Sequence, residues 1–177
     1  FGGKEKKSEV VVESTTPQQK QAVDHLKNEI ISSPFNGEVK ALSELKDAAF
    51  ASGALGKGVA IEPSEGKLVS PVSGTISALF PTNHAVGITT EEGAEILIHI
   101  GMDTVQLDGK YFSAHTTQGA HVEKGQLLIE FDVEKIKGAG FLLTTPVVVT
   151  NQEHYNLVLT NEKQVKAGNR LIELQVK

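Results

Sequence analysis

Residues 33–177 are a succession of short apolar runs, rich in valine and isoleucine, broken by glycine, proline and asparagine at intervals of about 8 to 12 residues. That spacing is the signature of strands joined by tight turns. It predicts an all-β fold, an antiparallel sandwich or flattened barrel with short helical turns. Only Leu42 to Phe50 offers a helical turn. Two turn-and-strand units also occur twice. Ser33-Pro34-Phe35-Asn36-Gly37-Glu38-Val39 returns as Ser70-Pro71-Val72-Ser73-Gly74-Thr75-Ile76. Val122-Glu123-Lys124-Gly125-Gln126-Leu127-Leu128-Ile129-Glu130-Phe131 returns as Val165-Lys166-Ala167-Gly168-Asn169-Arg170-Leu171-Ile172-Glu173-Leu174. The repeats predict internal duplication, two similar halves sharing one core. Residues 1–30 lack the pattern: lysines and acids balance, and large apolar side chains are too few to offset the entropy of ordering. They are read as a flexible linker preceding a domain over 31–177, with Pro17 opening a short helix through Asp24 to Ile31.

The segment Pro81 to Val105 carries the candidate chemistry. Ala85 to Ile98 is apolar and β-branched at both ends, with Thr89-Thr90-Glu91-Glu92-Gly93 as its turn signal, so it reads as a hairpin with His84 and His99 at its open end. A turn centred between Glu91 and Glu92 sets His84 directly across from His99, where Cβ atoms lie roughly 4.5 to 5.5 Å apart. That register is the one expected. A three-residue loop with Gly93 as a left-handed bulge residue would instead pair Ala85 with His99 and turn the rings to opposite faces. Two facing imidazoles disfavour double protonation, so at least one is neutral near pH 7. A neutral imidazole is a nucleophile. Its partner can donate a hydrogen bond to an arriving anion, an arrangement suited to phosphoryl transfer, where positioning and charge stabilisation dominate. Thr82, two residues before His84 on the same strand face, can orient that ring through its hydroxyl.

Composition removes several other classes. At 177 residues with 39% apolar content, the chain can bury a proper core in one domain of about 150 residues plus a tail. It has no cysteine, which excludes a disulfide framework and a thiol nucleophile and suits a reducing compartment. A net charge of −5 without a basic stripe argues against nucleic acid, and no apolar run reaches the ~18 residues of a membrane span. Gly53-Ala54-Leu55-Gly56-Lys57-Gly58 lacks the spacing and the hydroxyl residue of a phosphate-binding loop, and Gly138-Ala139-Gly140 is a lone Gly-x-Gly. No nucleotide or other cofactor is therefore expected, and the phosphoryl donor should be another phosphorylated protein.

Gly93-Ala94-Glu95-Ile96-Leu97-Ile98-His99-Ile100-Gly101-Met102-Asp103-Thr104-Val105 resembles the phosphorylation-site signature of enzyme IIA domains of the glucose and β-glucoside class in the bacterial sugar phosphotransferase system. Thr82-Asn83-His84-Ala85 resembles the second active-site segment. Likeness extends from about Ser33 to the end, through Phe50-Ala51-Ser52-Gly53, Lys67 to Ile76 and Thr144-Thr145-Pro146-Val147-Val148. The resemblance implies a phosphotransferase, a phosphohistidine relay in which His99 accepts the phosphoryl group from the carrier HPr and passes it to a cysteine of an enzyme IIB domain. It implies that His84 stabilises the group and that Thr82 orients His84. It also implies a fusion to a membrane sugar permease, with this domain cytoplasmic and tethered to the inner face of the membrane. Sugar specificity would belong to that permease. The wording from Leu79 to Ile88 is nearer to β-glucoside, sucrose or trehalose members, and Val86 and Leu97 stand where aromatic residues can occur at the rim.

A relay between proteins needs a docking face. Phe50, Ala51, Leu55, Val59 and Phe80 are expected to form a shallow apolar surface there, with Asp47 and Asp103 as rim acids facing a basic donor. Two other readings stay open. One is a regulatory IIA-like interaction domain of a transporter, phosphorylated only as a signal. The other is a zinc-binding β domain using His84, His99 and Asp103, since His99-x-x-x-Asp103 has metal-ligand spacing, although His-x-His is absent and no general base can be placed. His25, His115, His121 and His154 are read as solvated surface, and Tyr111 and Phe112 as strand core.

Overall fold

A computed structural model describes residues 26–177. The chain runs through β1 (Glu29–Ser32), β2 (Gly37–Ala41) and β3 (Lys57–Pro63). Next come β4 (Lys67–Val69), β5 (Gly74–Leu79), β6 (Ala85–Thr90), β7 (Glu95–His99), β8 (Phe112–Ala114), β9 (His121–Val122) and β10 (Leu127–Phe131). The chain closes with β11 (Thr145–Val149), β12 (Tyr155–Leu159), β13 (Gln164–Val165) and β14 (Arg170–Val176). An eight-stranded sheet has the order β13-β2-β3-β11-β7-β6-β5-β9, and two three-stranded sheets have the orders β1-β14-β12 and β4-β10-β8. Every pairing is antiparallel.

The order is that of a duplication. Exchanging β1, β2 and β3 with β4, β5 and β6, and β11 to β14 with β7 to β10, reverses the large sheet and interchanges the small ones. One half, β4 to β10, is contiguous and inserted between β3 and β11 of the other. The repeated sequences mark equivalent joints. Ser33 Oγ donates to the Phe35 carbonyl at 2.6 Å, and Ser70 Oγ donates to the Val72 carbonyl at the same distance. The Gly168 amide donates to the Ser33 carbonyl, and the Gly125 amide to the Ser70 carbonyl. Asn169 and Gln126 each accept from the backbone amide three residues earlier, that of Lys166 and of Glu123. Gly37 and Gly74 occupy matching sites where a Cβ would lie 2.1 Å from the Glu62 carbonyl oxygen and 2.3 Å from that of Thr89, so only glycine fits.

Both halves fill one core. Ile31, Phe35, Ile61, Leu68, Ile76, Ile88, Ile98, Leu128 and Ile172 are fully buried in it, and each such side chain contributes about 1.5–3 kcal/mol of transfer free energy. Two expectations need correction. The domain begins before residue 31, because β1 starts at Glu29 and Leu26 already packs on the core. The helix expected through Ile31 is strand over Glu29–Ile31, and its earlier part lies outside the described residues, as does His25. Besides the expected turn at Leu42–Glu44 and Ala48–Ala51, a helix forms over Val133–Gly138. Its signals are present in the sequence: Asp132 caps it, accepting from the Lys135 amide, Glu134 lies in the first turn, and Lys135 and Lys137 lie in the last. Phe112 is in β8 as expected, whereas Tyr111 precedes that strand with φ 76°.

Candidate active site

The site grows from the C-terminal end of β7, beside the centre of the large sheet. Strand alternation sends Ile96 and Ile98 into the main core, which leaves Leu97 and His99 for the opposite face. There the segment Leu42–Ala51 covers part of the sheet, and Leu45 and Phe50 pack with Ala60, Met102 and Val148 in a second cluster. Asp47 caps the helix Ala48–Ala51, its Oδ1 accepting from the amides of Ala49 at 2.9 Å and Phe50 at 3.4 Å. The cap aims Phe50 inward, with its ring 5.5 Å from that of His99. Phe50 is only 4% exposed, so it is a wall of the site and not the docking surface expected of it; Val59 is likewise core.

The hairpin takes the other register. Ala85 pairs with His99, the loop is Glu91-Glu92-Gly93, and Gly93 has φ 100°. The expected direct opposition of His84 and His99 is thus wrong, yet the rings meet, 4.8 Å apart at 82°. They do so because His84 precedes the first residue of β6. Asn83 at φ 59° turns the chain, so strand alternation no longer dictates where the His84 ring points. The His84 carbonyl still accepts from the Ile100 amide at 2.7 Å, which keeps the two segments together. The Phe80 and His84 rings meet in a T-shaped pair, their centroids 5.6 Å apart.

Hydrogen bonds sort the four ring nitrogens. His99 Nδ1 is 2.8 Å from the Gly101 carbonyl oxygen. A carbonyl only accepts, so Nδ1 carries a proton, and in the neutral ring the free lone pair is on Nε2. Thr82 Oγ1 lies 2.5 Å from His84 Nδ1, which leaves Nε2 as the unengaged nitrogen of that ring too. Thr82 lies in the turn before β6 and not on a strand, although the contact expected of it is present. His84 is 3% exposed, and burial, with a smaller contribution from His99, lowers its pKa to about 4. At pH 7 it is a neutral imidazole. The pair therefore offers one lone pair for attack and, when Thr82 donates to Nδ1, one N–H on His84 for an anion.

The rim differs in part from expectation. Asp47 and Asp103 line one cleft together with Lys46, Met102, Gln106 and Phe141, and both acids are exposed. Phe80 is 39% exposed, while Val86 is fully buried in the main core and forms no part of any rim. Among the described residues, no three His, Cys, Asp or Glu side chains gather as a metal-ligating group, so Asp103 does not join the histidines in the set the zinc reading requires. His115 and His121 are exposed beside Glu130 and Glu123, and His154 is half-buried beside Glu153. Gly101 and Thr145 lie in two of the motif segments, and only the fold brings them to the site. Gly101 has φ 75°, and a Cβ there would lie 2.7 Å from the Leu142 carbonyl oxygen. The glycine two residues after His99 was the available signal.

A duplicated antiparallel β fold that sets a buried, neutral histidine against a second histidine with an unengaged Nε2 is the architecture that comparison with known proteins places among phosphotransferase IIA domains. Residues 29–155 match the family described as phosphoenolpyruvate-dependent sugar phosphotransferase system, EIIA 1, and the chain belongs to it. It is 69% identical over 147 residues to the beta-glucoside-specific EIIBCA component of Halalkalibacterium halodurans, a match covering 82% of this chain and 23% of that protein. Identity to the beta-glucoside-specific EIIBCA component of Bacillus subtilis is 55% over 138 residues, covering 78% and 23%. Identity to the glucose-specific EIICBA component of Streptococcus pneumoniae is 46% over 147 residues, covering 80% and 20%. The chain thus spans less than a quarter of the length of these relatives. The glucose permease IIA from Mycoplasma capricolum superposes with a TM-score of 0.80 at 36% identity, over 84% of this chain and 97% of that one.

Proposed function

We propose that this domain is the phosphohistidine relay of a sugar transporter, with His99 as the carrier. The observation that carries the reading is the bond from His99 Nδ1 to the Gly101 carbonyl, which makes Nε2 the nucleophile beside a neutral His84. In the first step the Nε2 lone pair attacks the phosphorus of phosphorylated HPr. The new N–P bond forms as the donor's P–N bond breaks, and the donor imidazole leaves with the electron pair. His84 donates through Nε2–H to a phosphoryl oxygen, and Thr82 holds it in that tautomer by donating to Nδ1. In the second step a cysteine thiolate of an enzyme IIB domain attacks, forming P–S and releasing His99 as a neutral ring. Asp47 and Asp103 speed docking of a basic donor, and Phe80, partly exposed, packs against the His84 ring.

The relatives' names, EIIBCA and EIICBA components, support a IIB acceptor and a fused membrane permease, and hence a domain held at the cytoplasmic face. Greater identity to the beta-glucoside-specific components than to the glucose-specific one supports a β-glucoside transporter, and the wording from Leu79 to Ile88, nearer to β-glucoside, sucrose or trehalose members, agrees with it. No helix among the described residues is long and apolar enough to cross a membrane. The test is to incubate the chain with phosphorylated HPr and measure acid-labile, base-stable phosphate. Phosphate is expected on the wild type, none on His99→Ala, and uptake with failed onward transfer on His84→Gln. An unphosphorylated wild type, from a donor active on a known IIA domain, overturns the relay.

A further inference from the structure

The proton on His99 Nδ1 depends on one carbonyl, and that carbonyl belongs to a glycine with φ 75°. A glycine backbone is free to leave such a conformation, so something must hold it. The Ile100–Gly101 peptide unit is gripped at both ends by buried hydroxyls. Its carbonyl oxygen accepts from Thr104 Oγ1 at 2.5 Å, and its N–H donates to Thr145 Oγ1 at 3.2 Å. The Thr145 hydroxyl donates its own hydrogen to the Leu143 carbonyl at 2.7 Å, which presents its oxygen to Gly101 as an acceptor. Both threonines are completely buried. The next peptide unit, which carries the Gly101 carbonyl, has one end held independently of His99: its Met102 amide donates to the Leu142 carbonyl at 2.9 Å, while its oxygen accepts from His99.

A peptide plane held at one end can still rotate about the axis joining its flanking Cα atoms. Held at both ends, it cannot. We infer that Thr104 and Thr145 are positioning residues, a two-sided clamp on the Ile100–Gly101 peptide that aims the Gly101 carbonyl at His99 Nδ1 and so keeps Nε2 free for attack. The inference rests on His99 being the phosphoryl acceptor and adds the residues that set its tautomer. Removing the Thr145 oxygen leaves the Gly101 N–H buried without a partner, a state the backbone relieves by rotating toward another acceptor. The carbonyl then swings off His99, and the imidazole loses its reason to carry the proton on Nδ1.

The test is long-range proton–nitrogen NMR on the whole 177-residue chain, reading the tautomers of His99 and His84 separately. Wild type and Thr145→Ser are expected to show His99 protonated at Nδ1. Thr145→Val should shift the His99 tautomer ratio toward Nε2–H by about tenfold, and slow phosphate uptake from phosphorylated HPr by about the same factor, the scale of one lost hydrogen bond. The His84 pattern should not move. A folded Thr145→Val chain with an unshifted His99 ratio overturns the clamp, whatever its melting temperature. Should Thr145→Val fail to fold, Thr104→Val against Thr104→Ser gives the same comparison at the other end of the peptide. A shifted ratio in a chain whose wild type takes up no phosphate supports the clamp and overturns the relay.

Discussion

His84 stays neutral because its ring is buried, with nearby His99 a smaller cause, and that neutrality has a measurable pH signature. Its pKa is near 4 in the fold and near 6.5 in the unfolded chain. Between those values the unfolded chain binds more protons, so this residue's contribution to stability is complete above pH ~6.5 and is lost as pH falls toward ~4. Urea midpoints should therefore rise from acid to neutral pH, and His84→Gln should flatten the rise by on the order of 1–3 kcal/mol. Thr82→Val tests the second contact of that ring. It should leave uptake on His99 in place while slowing onward transfer about tenfold, read as the decay of phosphorylated domain after adding IIB. The histidine pair was legible from its flanking β-branched runs and turn. The register was not, because loops of two and three residues are equally compatible with Glu91-Glu92-Gly93. The left-handed turn at Asn83 then made the difference immaterial to the rings.

Short elements carry the supporting walls. Asp47 has two separable tasks, capping Ala48–Ala51 and presenting charge at the rim. Asp47→Asn retains a good cap and removes the charge, so it should lower the association rate with the donor and weaken its salt dependence without a change in stability. Asp47→Ala should add a loss of about 1 kcal/mol and loosen Phe50 from His99. Stopped-flow association and denaturant midpoints separate the two. The duplicated joints give a matched prediction: Ser33→Ala and Ser70→Ala should each cost about 1–2 kcal/mol, because each hydroxyl makes the same buried 2.6 Å bond, with Ser33→Ala the costlier because its oxygen also accepts from the Phe35 amide. The repeats were visible as words in the chain because each needs its serine, glycine and amide side chain for one geometry. Val133–Gly138 carries its cap and charges in the sequence, but a six-residue helix leaves too short an apolar period to stand out from the surrounding strand pattern.

At the scale of the molecule, neither half is independent. β7 of the inserted half pairs with β11 of the enclosing one, and one core takes side chains from both. The inserted segment, residues 66–132, should therefore show no cooperative unfolding transition as a monomer when expressed alone, because Ile96 and Ile98 would face water along an unpaired edge. Circular dichroism melts and sedimentation would show this. By itself the sequence determined the strand-rich class, the duplication, the two histidines and the hydroxyl beside one of them, because periodicity, turn chemistry and motif spacing are local properties. Only the tertiary structure decided that one half is threaded into the other, that Phe50 is a wall and not a surface, and that Thr104 and Thr145 meet on one peptide. Those are contacts between segments far apart in the chain, where packing and the need to pair every buried polar group choose among arrangements that local pattern leaves equal.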